Sequence, residues 1–257
     1  MREEIQVTGI ILYATLVKEY DKRLVILTKE RGKITVFANG ARKAVSQLRA
    51  ASQSFVMGTF TVFPGRDSYT LVKAEVREYF SGLPLDMEKL CYASYVCEFM
   101  SYYTREGCYC VNELNLLYVT LKALEQGTVD NQLIRYAFEV RLMDIEGQGI
   151  HAYTCVRCNK KELKYFNAKA GGLLCEACGK ELKLTRTVSE TLIYTLQYIQ
   201  SADLTKLYAF QLSEEAMAEL KYVADRFREA YVDREFKSLE ILCLLYTSPS
   251  PRDTERS

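Results

Sequence analysis

Two pairs of cysteines carry the clearest chemistry in this chain: Cys155/Cys158 and Cys175/Cys178, each a C-x-x-C, with residues 159–174 between the pairs. Two intervening residues let both sulfurs of a pair face one centre roughly 2.3 Å away, the length of a zinc–thiolate bond. A separation of about 15–20 residues between two such knuckles is that of a four-thiolate zinc site. Gly171, Gly172 and Gly179 lie where the knuckles must turn tightly. Two disulfides are the competing reading, which needs an oxidising compartment. Four thiolates leave no coordination position for water, so the expected Zn2+ is structural and does no hydrolysis.

Elsewhere the catalytic residue types are missing or isolated. His151 is the only histidine, so any Ser–His or Cys–His arrangement would have to be built on it, and no nucleophile motif or carboxylate pair flanks it. Standing four residues before Cys155, it reads as a loop histidine, with a spare metal ligand as the alternative. No GxxxxGK[ST] loop is present and no GxGxxG follows a strand, so the chain is expected to be no enzyme. The basic residues are more specific. Between Lys22 and Arg49 stand Lys22, Arg23, Lys29, Arg31, Lys33, Arg42, Lys43 and Arg49, opposed only by Glu30. Such donors bind phosphates and release their counterions, and Tyr20, Phe37 and Phe55 nearby are candidates to stack unpaired bases. The competing reading is a charged edge that keeps strands from pairing between molecules.

The scaffold that must position these residues has 257 of them, 49% hydrophobic and 26% charged, enough for one large domain or two ordinary ones. The start, Met1-Arg2-Glu3-Glu4, has acidic residues and no apolar core of a secretory signal. No stretch reaches the roughly 18 apolar residues of a membrane span. A reduced cytosol is the expected setting, and thiols there favour metal over disulfide. Cys91, Cys97, Cys108 and Cys110 fall in a Tyr- and Leu-rich stretch and are expected to be buried small hydrophobes. The net charge of +1 conceals a segregation: +5 over residues 1–80, −5 over 81–154, +5 over 155–186 and −4 over 187–257. Only some faces therefore suit a polyanion.

Residues 1–80 read as about five short antiparallel strands: Ile5 to Leu16, Arg23 to Thr28, Lys33 to Ala38, Val56 to Phe63 and Tyr69 to Phe80, with turns at Gly32, Pro64-Gly65 and Asp67-Ser68. Strands of this number and length suit a small closed barrel, the OB type being the commonest of that size. After Gly82-Leu83-Pro84 the period changes. Helices are expected at 87–104, 111–126, 130–146, 187–200, 203–211 and 213–232, with Asp130, Ser189 and Ser213 as N-caps. Leu90, Ala93, Val96, Cys97 and Met100 form the apolar stripe of the first, whose Tyr92, Tyr95, Phe99, Tyr102 and Tyr103 are either core or a groove for an apolar peptide. The expected class is α+β: an OB-fold barrel at 1–80, then an α-helical domain at 81–242 carrying a zinc module at about 150–184.

Residues 243–257 read differently. The run Cys243-Leu244-Leu245-Tyr246-Thr247-Ser248-Pro249-Ser250-Pro251-Arg252-Asp253 can be encoded without mismatch by the end of a transposon-type sequencing adapter. The native protein is expected to be interrupted at about Leu242, followed by a non-native tail.

At Gly32-Lys33-Ile34-Thr35-Val36-Phe37-Ala38-Asn39-Gly40-Ala41-Arg42-Lys43, then Ser46 to Leu48, the sequence resembles the RecO family of bacterial recombination mediators. The turn from Thr28 to Gly32, the cysteine quartet of the zinc-binding branch and a closing helix at Arg234 to Leu242 fit the same family, across essentially residues 3–242. That resemblance implies non-enzymatic work in the cytoplasm, at the nucleoid: binding single- and double-stranded DNA, annealing complementary strands and, with RecR, helping RecA onto DNA coated by single-strand-binding protein. It also implies contact with the C-terminal tail of single-strand-binding protein. Carried over onto this chain, Arg42 and Lys43 are the leading DNA contacts; Lys29, Arg31, Lys33 and Arg49 follow from charge and position. Arg157, Lys160, Lys161 and Lys164 would extend the DNA track. A zinc-stapled protein-interaction scaffold with an incidental basic face is the alternative.

Overall fold

The computed structural model describes residues 3–247. Five strands, β1 (Ile5–Leu16), β2 (Lys22–Thr28), β3 (Gly32–Ala38), β4 (Met57–Pro64) and β5 (Tyr69–Glu78), precede a helical region, with a one-turn helix α1 (Leu48–Ala51) between β3 and β4. The later helices are α2 (Met87–Tyr103), α3 (Val111–Gln126), α4 (Asn131–Ile145), α5 (Glu176–Glu181), α6 (Glu190–Ser201), α7 (Glu214–Tyr231) and α8 (Lys237–Thr247), and a hairpin of β6 (Tyr165–Asn167) and β7 (Gly172–Leu174) precedes α5. The segment at 203–211 expected to be a helix is only a 3-10 turn, Leu204–Lys206. Nine residues supply little propagation to offset helix nucleation. Helix α8 continues past Leu242 to Thr247; the rest of the expected tail, 248–257, lies outside the described residues.

The strands close into a barrel in the order β1-β2-β3-β5-β4, the OB arrangement. One strand, β1, serves two neighbours: Ile5 to Ile10 pair with β4, and Gly9 to Leu16 pair with β2. Gly9 stands at the crossing, where a Cβ would lie 2.3 Å from the Leu27 carbonyl oxygen. Alternation buries Val7, Ile11, Leu24, Ile26, Val36, Phe60 and Val62 inside. Antiparallel pairing was expected throughout, but the closing pair is parallel, Val36 facing Tyr69 and Phe37 facing Thr70. It must be, since β5 reaches β3 only after β4 has crossed the barrel.

The β2–β3 turn is gripped from outside by residues 105–110. Lys33 N donates to the Arg105 carbonyl at 3.1 Å, Gly107 N to Arg31 at 3.0 Å, and Cys110 N to Lys29 at 3.0 Å. Gly32 sits in that grip at φ 65°, where a Cβ would be 2.0 Å from the Arg105 carbonyl oxygen. Gly32→Ala is therefore expected to destabilise the protein by about 2 kcal/mol, combining left-handed strain with displacement of the loop. A urea-unfolding midpoint equal to that of the unchanged chain would rule the grip out as a stabilising contact. The loop holds on through its backbone, which leaves Cys108 exposed where burial was expected; Cys91, Cys97 and Cys110 are buried.

Packing gathers the chain into two units, one from the residues up to Gln126 together with those from Glu235 on, the other Gly127–Arg234. Within the first, α2 starts at Asp86, whose carboxylate accepts from Glu88 N at 2.9 Å and Lys89 N at 3.2 Å. Instead of one apolar stripe, α2 buries Tyr92, Tyr95 and Phe99 along with Ala93, Val96 and Met100, while Leu90 is half-buried. Strand β1, α3 and α8 all pack on it, so it is apolar nearly all round. Phe236 lies edge-on to Tyr95 and Tyr102 at ring distances of 5.8 and 5.9 Å. Tyr92, Tyr95 and Phe99 are thus core, and Tyr102 and Tyr103 are half-buried at its edge.

In the second unit α4 packs on α6 and α7. The N-caps are those expected: Asp130 accepts from Gln132 N at 2.8 Å, Ser189 Oγ from Leu192 N at 3.1 Å and Ser213 Oγ from Ala216 N at 3.3 Å. Between α4 and α7, Arg135 meets Glu139 at 2.7 Å and Asp225 at 3.1 Å, so the buried Glu139 has an opposite charge, the condition for keeping it there. Among the described residues no helix is long and apolar enough to cross a membrane.

Candidate nucleic-acid interface and metal centre

The barrel sorts the expected phosphate contacts into two places. In the β2–β3 hairpin Lys22 pairs with Ala38 at one end and Thr28 with Gly32 at the other, about 20 Å away along the strands. Lys29, Arg31 and Lys33 belong to the Gly32 end. There the Lys33 ammonium is engaged by α2, donating to Ser101 Oγ at 3.2 Å and to the Ser101 carbonyl. Lys29 and Arg31 are exposed, but acids stand with them: Glu30 accepts from Thr8 N at 2.9 Å, and Glu106 accepts from the Tyr69 hydroxyl at 3.1 Å.

Arg42, Lys43 and Arg49 gather at the other end. Gly40, at φ 65°, turns the chain after β3, and its N donates to Asp21 Oδ1 at 2.8 Å. Arg42 N then donates to the Tyr20 carbonyl at 3.0 Å and its guanidinium to the Glu19 carbonyl at 2.9 Å. The loop after β3 is thereby docked on the β1–β2 turn. Lys22 lies beneath, its ammonium donating to the Ser52 carbonyl at 2.9 Å. Burial first, then Arg42 and Arg49, hold Lys22 below the ordinary lysine value. Three cations crowd one another here, with Glu19 and Asp21 the acids of the turn they meet, and a bound phosphate would relieve that crowding.

A phosphate favours charged Lys22, so polyanion affinity should be highest below the lowered pKa and fall as pH rises through it. That fall should come before an ordinary lysine titrates. Lys22→Arg should flatten it, because a guanidinium stays charged. Oligonucleotide anisotropy across pH at fixed ionic strength reads this, and superimposable profiles for the two proteins would contradict it.

Of the aromatic candidates, Tyr20 is 45% exposed at this end, Phe37 is half-buried, and Phe55 is 3% exposed and unable to stack a base. Phe55 adopts φ 70° and its N donates to Ile11 at 2.7 Å, which turns the ring inward. Sequence reasoning named Lys22 within the basic run but not as a site residue. Its partners are 20 and 27 positions away, and only their shared loop geometry brings them together.

The metal centre is built by the module between α4 and α6. Cys155 opens the first knuckle, its N donating to Lys160 at 2.8 Å while its carbonyl accepts from Asn159 N at 2.9 Å. Cys175 and Cys178 sit at the start of α5, behind the β6–β7 hairpin. All four Sγ atoms lie within 4.8 Å of one another, with Cys158 and Cys175 at 3.5 Å. Four thiolates around one ion at roughly 2.3 Å would be about 3.8 Å apart, so the donor set fits a metal ion. Burial pushes the Cys155 thiol up, but backbone hydrogen bonds from Cys175, Arg157 and Cys158 outweigh it and bring it down. Burial and the hydrogen bonds of the neighbouring sulfurs instead push Cys178 up to about 12, so a bound ion would have to draw the proton from Cys178.

The glycines serve close approach. Gly171 takes φ 87° in the hairpin, a Cβ on Gly172 would lie 2.4 Å from the His151 carbonyl oxygen, and one on Gly179 would enter the Tyr165 ring. His151 is not among the clustered ligands; its Nε2 is 2.9 Å from Thr154 Oγ1. Around the module Arg157 pairs with Glu181 at 2.9 Å and Lys164 with Glu176 at 3.2 Å, leaving Lys160 and Lys161 as exposed cations of the four expected to extend a DNA track.

Comparison with known proteins matches both halves. The family model of the recombination protein O N terminal fits residues 1–80, and that of the recombination protein O C terminal fits residues 84–240. The DNA repair protein RecO of Alkaliphilus metalliredigens is 31% identical over 240 residues, covering 92% of this chain and 98% of its own. That of Clostridium perfringens strain 13 is 31% identical over 236 residues, covering 91% and 95%. The RecO protein of Acetivibrio thermocellus is 27% identical over 240 residues, covering 93% and 96%. A five-stranded OB barrel bearing a cationic loop, followed by helices that carry a four-cysteine metal-binding site, is matched over nearly its whole length by these repair proteins, and the chain belongs to the RecO family of DNA repair and recombination proteins.

Proposed function

We propose that the protein is a non-enzymatic recombination mediator that holds single- and double-stranded DNA by its phosphates and anneals complementary strands. With RecR, it would promote RecA loading on DNA coated by single-strand-binding protein, whose C-terminal tail it also engages, in the cytoplasm at the nucleoid. The observation that carries the DNA-binding part is the cationic crowding of Lys22, Arg42 and Arg49 on one exposed barrel end. Lys43, over Tyr20 at 6.0 Å from its ring centroid, adds a fourth charge. Arg42, Lys43 and Arg49 with Lys22 are the inner phosphate contacts, and Lys29 and Arg31 are outer ones. Lys33, held by Ser101, serves the fold.

The four cysteines hold Zn2+ as a structural ion, since four clustered sulfurs favour a soft, tetrahedral, redox-inert metal and leave no place for a reacting water. Annealing two labelled complementary oligonucleotides with stoichiometric protein tests the reading. Pairing faster than the spontaneous rate at low salt, and slowed by added salt, is expected. No acceleration would favour a protein-interaction scaffold with an incidental basic face.

A further inference from the structure

The cationic barrel end also exposes apolar side chains that phosphates give no reason to keep there. At the β1–β2 turn, Leu16 is 63% exposed, Val17 47% and Tyr20 45%, and in the loop docked beside it Val45 is 93% exposed. The turn is ordered: Val17 N donates to the Asp21 carbonyl at 3.2 Å, and Tyr20 and Glu19 receive Arg42. Two carboxylates stand in this turn, Asp21, which accepts from Gly40 N at 2.8 Å, and Glu19, whose hydrogen bond pushes the Tyr20 phenol above its ordinary value. What remains is a small apolar tip beside Lys22, Arg42 and Lys43.

A duplex meets such a surface with phosphates and sugars, its base faces hidden in the stack. A single strand brings both the phosphates the cations need and exposed π-faces that cover Leu16, Val17 and Tyr20. Charge complementarity names a polyanion as the partner, and the apolar tip selects the form of polyanion whose bases are free.

We infer that Leu16, Val17 and Tyr20 form a base-contacting site for unpaired nucleotides, which favours single strands over duplex and lets an annealed product leave. The inference rests on the proposed DNA-binding reading. Base contacts add a part of the affinity that salt does not screen, whereas the phosphate part follows salt.

The test is the triple variant Leu16→Ser/Val17→Ser/Tyr20→Ser, all exposed positions, with circular dichroism and the thermal midpoint confirming an unchanged fold. Affinities for one oligonucleotide and for its duplex are measured across a salt series, with Arg42→Glu/Lys43→Glu in parallel. The expected result is single-strand binding weakened about 10- to 100-fold at every salt concentration, with an unchanged salt slope and unchanged duplex affinity. Equal losses for both DNA forms, or no loss for either, would overturn the base-contact site. In that event an effect of Arg42→Glu/Lys43→Glu would leave the DNA-binding reading standing. If that variant is silent as well, the reading fails and the inference with it.

Discussion

Arg42→Glu/Lys43→Glu is expected to weaken binding to single- and double-stranded DNA about 100-fold at low salt and to lower the slope of log affinity against log salt by roughly two. Both side chains are exposed; Arg42→Glu gives up the guanidinium bond to the Glu19 carbonyl, but Gly40 N on Asp21 and Arg42 N on Tyr20 still hold the loop. Each reversal removes one phosphate contact and puts a carboxylate, like in charge to a phosphate and opposite to Arg49 and the partly buried Lys22, in its place. Lys22 should then titrate nearer the ordinary lysine value, because its depression comes partly from Arg42. The matching variant Lys29→Glu/Arg31→Glu, at the far end of the hairpin, should cost several-fold at most, since Glu30 and Glu106 already accompany those cations. Titration by anisotropy at four or so salt concentrations distinguishes the two. If the salt slope of Arg42→Glu/Lys43→Glu matched that of the unchanged protein, the phosphates would be bound elsewhere.

The split between those two ends shows where sequence reasoning reaches its limit. Strand positions, the N-caps at Asp130, Ser189 and Ser213 and the C-x-x-C spacing are all local rules, and each is visible in a few consecutive residues. Eight basic residues stand in one run of the sequence. A hairpin sends them to opposite ends, and the cations that do meet, Lys22 with Arg42 and Arg49, are joined by a turn whose geometry no local pattern states. Helix α2 stands where it was expected, and the choice between core and peptide groove for its aromatics needed the fold. Its Tyr and Phe residues look like a second, amphipathic face until β1, α3 and α8 arrive from different sides and bury both faces. The grip of residues 105–110 on Gly32 was missed because it runs through backbone groups, which leave no residue-type signature beyond Gly107 itself.

Removing the metal is expected to unfold the module before anything else. The buried core around the four cysteines is Cys155, Cys175 and Cys178 with Tyr165 and Leu174, and Val156, Leu163, Ala170 and Leu184 pack half-buried against it, so three of its five buried members are ligands. Two three-residue strands and a six-residue helix cannot stand on so small an apolar core. Structural zinc in small zinc-finger peptides contributes roughly 10–16 kcal/mol of apparent binding energy, and with zinc as the ion here most of it would be folding energy. With a strong chelator, or in Cys175→Ser/Cys178→Ser, backbone amides at Tyr165–Leu174 and in α5 should exchange with solvent orders of magnitude faster, while β1 to β5 keep their protection. Their core of Val7, Ile11, Leu24, Phe60 and Val62 owes nothing to the metal. Because the inner cations belong to that barrel, DNA affinity should fall only a few-fold, the loss of Lys160 and Lys161 as ordered outer charges setting its size. Hydrogen exchange by mass spectrometry, with metal content measured on the same sample, decides the matter. Full protection of the β6–β7 hairpin in metal-free protein would show that the cysteines do not staple the module. A collapse of barrel protection alongside it would show that the two parts fold as one.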